Sequence, residues 1–65
     1  MGTINVYKGI GKEYKTFRTN GNLKDALSAF APEINTAHCI FLKGGENVGL
    51  DYQIKDNDII FARET

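Results

Sequence analysis

The sequence predicts an α+β fold in which one short helix packs on a mixed β-sheet, and three observations carry that prediction. Leu23, Ala26, Leu27, Phe30 and Ala31 recur at helical spacing and form one apolar stripe, with Lys24, Asp25 and Ser28 on the other side. Both flanks of this stretch read as strand, rich in β-branched and aromatic residues and punctuated by Gly, Asn and Asp. A single short helix cannot bury its own stripe, so it must lie on a sheet that the two flanks supply.

The first strand is Thr3 to Lys8, which alternates Ile4 and Val6 against Asn5 and Tyr7. Gly9-Ile10-Gly11 follows as a turn, since glycine reaches positive φ without steric cost. Glu13 to Arg18 is the returning strand of an N-terminal hairpin. Asn20-Gly21-Asn22 ends it, and Asn22 is placed to cap the helix by accepting from a backbone N–H of the first turn. Asp25, three residues on, completes a cap of the capping-box kind and complements the helix dipole. The helix spans about residues 23–31, because Pro32 cannot continue it and disfavours helical geometry at Ala31. Ile34 is expected to fold back beneath it.

His38 to Lys43 is the third strand, with Ile40 and Leu42 sharing one face and Cys39 and Phe41 the other. Gly44-Gly45-Glu46-Asn47 is a turn, and Val48-Gly49-Leu50 reads as a brief edge strand weakened by its glycine. Lys55-Asp56-Asn57-Asp58 is a tight polar turn in which Asn57 tolerates the left-handed region. Asp58 to Arg63 is the last strand. The order is β-β-α-β-(β)-β. The simplest unknotted solution pairs the first strand with the last, in parallel, at the sheet centre, with the helix across one face. That is a β-grasp, or ubiquitin-like, arrangement, expected as a single domain over residues 1–65.

Two stretches make the chain resemble members of that superfamily. INVYKGIGKEYKTFRTNGNLKDALSAF is strand, glycine turn, strand and a short helix opened by NLKDAL. VGLDYQIKDNDIIFARE is similar to the closing segment of ThiS/MoaD sulfur carriers and TGS domains, with Asn57 where those families carry glycine. Sulfur carriers and ubiquitin-type modifiers act through a C-terminal Gly-Gly, whereas this chain ends Ala62-Arg63-Glu64-Thr65 and its Gly44-Gly45 reads as a turn. The resemblance therefore implies the fold, and carrier chemistry is expected only if a diglycine tail belongs to a longer precursor. The opening hairpin, through Val6-Tyr7, Gly9 and Ile10-Gly11, also resembles the N-terminal domain of the phage lambda tail-assembly protein I, which implies a phage or mobile-element assembly or host-interaction factor as a further alternative.

Charge and composition narrow the partners. Eight basic and eight acidic side chains cancel and are scattered, so the basic excess that marks nucleic-acid binders is absent. No apolar run approaches the roughly 18 residues needed to span a bilayer, and no charged-then-apolar leader precedes the first strand. The single cysteine, Cys39, allows no intramolecular disulfide and no cysteine-built zinc site, and suits a reducing compartment. A cytoplasmic protein that binds another protein, without nucleic acid, membrane, metal or cofactor, is expected, as a monomer or a weak dimer through an edge strand.

Enzymatic constellations are weak. His38 and Cys39 are neighbours, but successive strand residues point to opposite faces and no acidic residue is placed to orient the histidine. Asp51, Asp56 and Asp58 lack the alternating spacing of a calcium loop and serve turns better. Gly9-Ile10-Gly11-Lys12 is too short for a phosphate loop and opens no helix. The open face of the sheet is the stronger candidate. With Ile4, Val6, Ile40 and Leu42 turned to the helix, Tyr7, Cys39 and Phe41 face away. With Ile60 and Ala62 inward, Ile59 and Phe61 join them. Tyr7, Phe41, Ile59 and Phe61 are therefore the predicted partner-binding residues of a non-catalytic interaction module. The last strand is apolar on both parities, so the opposite choice, with Ile59 and Phe61 inward, also remains open.

Overall fold

The computed structural model describes residues 1–9 and 13–65. Its elements in order are β1 (Gly2–Lys8), β2 (Glu13–Thr19), β3 (Gly21–Asn22), α1 (Leu23–Phe30), a 3₁₀ turn (Thr36–His38), β4 (Cys39–Lys43), β5 (Glu46–Asn47), β6 (Gln53–Ile54) and β7 (Ile59–Glu64). Ile10 to Lys12, the middle of the expected hairpin turn and part of the glycine-lysine run, lie outside the described residues; Gly9 at the turn's start takes φ +76°.

Five strands form a mixed sheet in the order β2-β1-β7-β4-β5, and β3 pairs with β6 in a separate two-stranded ribbon. β1 and β7 run parallel, from Thr3 beside Ile59 to Lys8 beside Glu64; β1–β2, β4–β7 and β4–β5 are antiparallel. This is the central parallel pairing that the strand order implies. The core lies between this sheet and α1. Ile4, Val6, Ile60 and Ala62 of the sheet, Leu23, Ala26 and Leu27 of the helix, and Ala31, Ile34, Phe41 and Ile54 form one buried cluster.

The helix is a residue shorter than the stripe predicts. It ends at Phe30, and Ala31 caps it, its N–H donating to the Leu27 carbonyl at 2.8 Å. Ala31 is buried as expected, but Phe30 is 46% exposed. It lies on the flank of the stripe and stacks on Phe17 of β2 with ring centroids 4.9 Å apart. At the other end, Asn22 Oδ1 accepts from the Asp25 N–H at 2.7 Å, the predicted cap. Two more first-turn donors have partners far along the chain: Leu23 N–H donates to the Tyr52 carbonyl at 3.0 Å and Lys24 N–H to the Leu50 carbonyl at 2.9 Å. Residues 50–54 therefore act as a bracket that pairs with β3 and satisfies donors a helix start leaves free.

That bracket corrects the reading of Val48–Leu50 as an edge strand. The edge is Glu46–Asn47, beyond which Val48 N–H still donates to the Phe41 carbonyl at 3.0 Å. His38 likewise lies in the 3₁₀ turn rather than in β4.

The polar turn before β7 is built as its residues suggest. Asn57 takes φ +68°. The Asp58 carboxylate accepts from Lys55 N–H at 2.8 Å and from the Tyr52 hydroxyl at 2.5 Å. Asp58 contributes its carbonyl to Thr3 N–H at 2.8 Å, so the turn sets the register of β1 against β7. Gly2 passes close by: a Cβ there would sit 2.6 Å from Ile54 Cγ2, 3.0 Å from the Lys55 carbonyl oxygen and 3.1 Å from Asp58 Cβ. No helix among the described residues is long and apolar enough to cross a membrane.

Candidate functional site

The face of the sheet away from α1 carries an apolar surface. Strand alternation decides its membership. On β1 and β7, Ile4, Val6, Ile60 and Ala62 are turned inward, which leaves Tyr7, Ile59 and Phe61 outward. Phe61 is 41% and Ile59 55% exposed, in line with the expected parity.

On β4 the expectation is reversed. Phe41 is 6% exposed and belongs to the core, whereas Ile40 and Leu42 are 46% and 37% exposed. The register explains it. Phe41 stands opposite Ala62 and Leu42 opposite Phe61, and residues opposite one another share a face. Ala62 is small and inward, so the inner face needs bulk beside it, which Phe41 supplies and Cys39, half-buried against the same cluster, extends. Phe41 is accordingly removed from the predicted binding residues. Ile40 and Leu42 take its place. The sequence carries no signal for this by itself, because β4 is apolar on both parities; the pairing of Phe41 with Ala62 decides the face.

Tyr7, Ile40, Leu42, Phe61 and Arg63 line a shallow depression of about 440 Å³. The Tyr7 and Phe61 rings are 6.2 Å apart and tilted by 33°. Arg63 lies over Tyr7, its guanidinium carbon 5.7 Å from the ring centroid, within cation–π range. β2 borders this surface with polar residues. The Thr16 hydroxyl donates to the Glu13 carboxylate and lies 3.0 Å from Asn5 Oδ1. Arg18, opposite Thr3, stands at the other end of the same strand.

The outer edge of β2 is guarded on its helix side. Lys15 Nζ donates to the Phe30 carbonyl at 2.8 Å and to Glu33 Oε1 at 3.4 Å, which places a charge beside the last turn of α1. The Tyr14 hydroxyl donates to the same carboxylate.

Cys39 and His38 make no nucleophilic pair. Cys39 Sγ donates to the Asn35 carbonyl at 3.3 Å, and His38 engages through its own carbonyl, which accepts from Thr65 N–H at 2.9 Å. Burial, and then the Glu64 carboxylate, push the Cys39 thiol above its ordinary pKa, the opposite of what a nucleophile needs. Among the described residues no three His, Cys, Asp or Glu side chains are grouped to hold a metal ion. Residues Ala62 to Glu64 are paired in β7, and Thr65 is bonded to His38 through both N–H and hydroxyl. No protein-family model matches the chain, and no curated protein matches it in sequence.

Proposed function

We propose that this chain is a non-catalytic interaction module of the β-grasp, ubiquitin-like fold that binds a protein through the open face of its sheet. The observation that carries the reading is the surface of half-buried Tyr7 with exposed Ile40, Leu42 and Phe61, which line one depression, and of exposed Ile59 on the same side of β7, on a sheet whose other side is already covered by α1. Apolar surface of this kind on a small domain marks an interaction site, and rigid aromatics with an arginine are the side chains that anchor such sites. The β-grasp assignment rests on the central parallel β1–β7 pair, the hairpin to one side and a single helix crossing the sheet. A sulfur-carrier or modifier role would require a flexible diglycine segment beyond Thr65, since the residues up to it are hydrogen-bonded.

The test is site-specific photo-crosslinking in the native host. A photoreactive residue at Ile59 should give a discrete adduct that disappears with Phe61→Ser and is not formed from Lys24, on the exposed side of α1. Equal adducts from both positions, or adducts at Ile59 that survive Phe61→Ser, would overturn the reading.

A further inference from the structure

We infer that this chain self-associates along the outer edge of β2, the β2 strands of two copies pairing antiparallel about a twofold axis that stands perpendicular to the sheet and passes between them at Phe17. The inference goes beyond the open-face reading and leaves that face uncovered.

The main chain of β2 provides the edge. Thr3 N–H donates to the Asp58 carbonyl across the parallel β1–β7 pair. Thr3 and Asn5 therefore turn their main-chain groups to β7, and Ile4 and Val6 turn theirs to β2, where Phe17 and Lys15 stand opposite them. The alternate residues of β2, Thr16 and Arg18, point N–H and C=O away from the sheet. β2 ends the strand order, so no strand among the described residues meets these groups. An antiparallel strand laid alongside is what satisfies them.

The side chains select β2 of a second copy as that strand. Glu13 and Arg18, opposite Tyr7 and Thr3, lie on the open side of the sheet, and the Glu13 carboxylate is held at the Thr16 hydroxyl. Neither makes an ion pair among the described residues, and Asp56, whose charge Arg18 also feels, is paired with the N-terminal amine. With the axis at Phe17, Thr16 of each copy stands opposite Arg18 of the other and exchanges both main-chain hydrogen bonds with it. The Glu13 carboxylate, at Thr16, then meets the other copy's Arg18, and symmetry repeats the pair. An axis at Thr16 would instead bring the two Glu13 carboxylates together. On the helix side, Phe17 faces Phe17 across the axis, each stacked with a Phe30 that is 46% exposed in the single chain, so four rings gather there. Lys15 does not obstruct the approach, because its ammonium is drawn back to the Phe30 carbonyl and Glu33. The opposite edge of the sheet, β5, has two residues and offers no comparable length. One strand pair buries less than the roughly 1,200 Å² of stable interfaces, so the dimer is weak. It makes one continuous sheet with both open faces on the same side, the two Phe61 side chains roughly 24 Å apart at about 4.8 Å per strand.

Sedimentation equilibrium of the full chain from micromolar to millimolar concentration tests this. The weight-average mass should rise toward the dimer. Thr16→Pro should abolish the dimer and keep the fold, checked by circular dichroism, because the ring replaces an N–H that points away from β1. Glu13→Lys and Arg18→Glu should each weaken association by about tenfold or more, since each creates two like-charge pairs. The combined Glu13→Lys/Arg18→Glu variant should return to within about threefold of the parent, which a merely structural role for either residue would not produce. Amide chemical shifts of the unsubstituted chain, followed on dilution, should move on β2 and at Phe30 and not on β4 and β7, a readout independent of any variant's stability. Phe61→Ser should leave association within about threefold of the parent. A chain monomeric throughout, association that survives Thr16→Pro, single reversals without recovery in the double, or shifts centred on β4 and β7 would overturn the inference. A strictly monomeric chain would leave the β2 edge to a foreign strand. The crosslinking result at Ile59 and Lys24 decides the open-face reading separately.

Discussion

Phe41 and Ala62 stand opposite each other across the antiparallel β4–β7 pair, and both are buried against α1. Their outward neighbours, Leu42 and Phe61, are likewise opposite each other and exposed. One register therefore separates the residues that hold the fold from those available to a partner.

Two phenylalanine truncations read this separation directly. Phe41→Ala should cost about 3–5 kcal/mol, the usual range for a buried ring. Phe61→Ala should cost about 1 kcal/mol or less, since it leaves no enclosed cavity. Urea denaturation of both variants at neutral pH checks the contrast, and equal losses would show the faces assigned wrongly.

Leu27 is fully buried at the middle of α1's inner side. Leu27→Ala should lower stability by roughly 2–5 kcal/mol. A domain of this size has only a few kcal/mol in total, so far-ultraviolet circular dichroism at room temperature should show a largely unfolded population. An almost unchanged urea midpoint would show that the helix does not face the core.

Gly2 is required by space rather than by backbone angle. Its α-carbon faces Ile54, the Lys55 carbonyl and Asp58, so Gly2→Ala forces the β1–β7 entrance apart. The expected loss is about 1–3 kcal/mol, as for overpacking elsewhere. Gly9→Ala makes the comparison, because among the described residues nothing stands within 4 Å of a Cβ there and the positive φ is what the substitution strains. Thermal melts should rank Gly2→Ala as the more damaging of the two.

The Tyr52 hydroxyl, followed by the Lys55 amide, holds the Asp58 carboxyl below its ordinary pKa. A depressed folded-state pKa means that the carboxylate's stabilising contribution is present above the unfolded aspartate pKa of about 3.9 and is lost as pH falls through the lower folded value. The parent should therefore lose more stability between about pH 6 and about pH 2.5 than Asp58→Asn does. Urea midpoints across that interval measure the difference, and parallel curves would sink the assignment.

The helix start, its stop and the polar turn were legible in the sequence because each is a local device. Asn22 caps within three residues, Pro32 ends what precedes it, and Asn57 supplies a left-handed angle wherever it sits. The central parallel pair followed from topology alone. The face of β4 did not, since Cys39-Ile40-Phe41-Leu42 is apolar on both parities and a period of two cannot rank them. Only the pairing with Ala62 does so. The bracket of residues 50–54 was equally hidden, because backbone carbonyls that satisfy a distant helix start leave no mark in side-chain pattern. Gly2 gave no signal either: a close approach is a property of three remote segments.

The parallel pairing of β1 with β7 also has a consequence for how the molecule is made. Synthesis delivers β1, β2 and α1 first, yet one flank of β1 has no partner until Ile59 to Glu64 has left the ribosome. β4 waits for the same strand. A nascent chain that stalls before Ile59, or a product truncated there, is left with two open strand flanks and an uncovered core, a species that seeks other chains. Folding of this domain is therefore a closing event, and β7 is the piece that closes it.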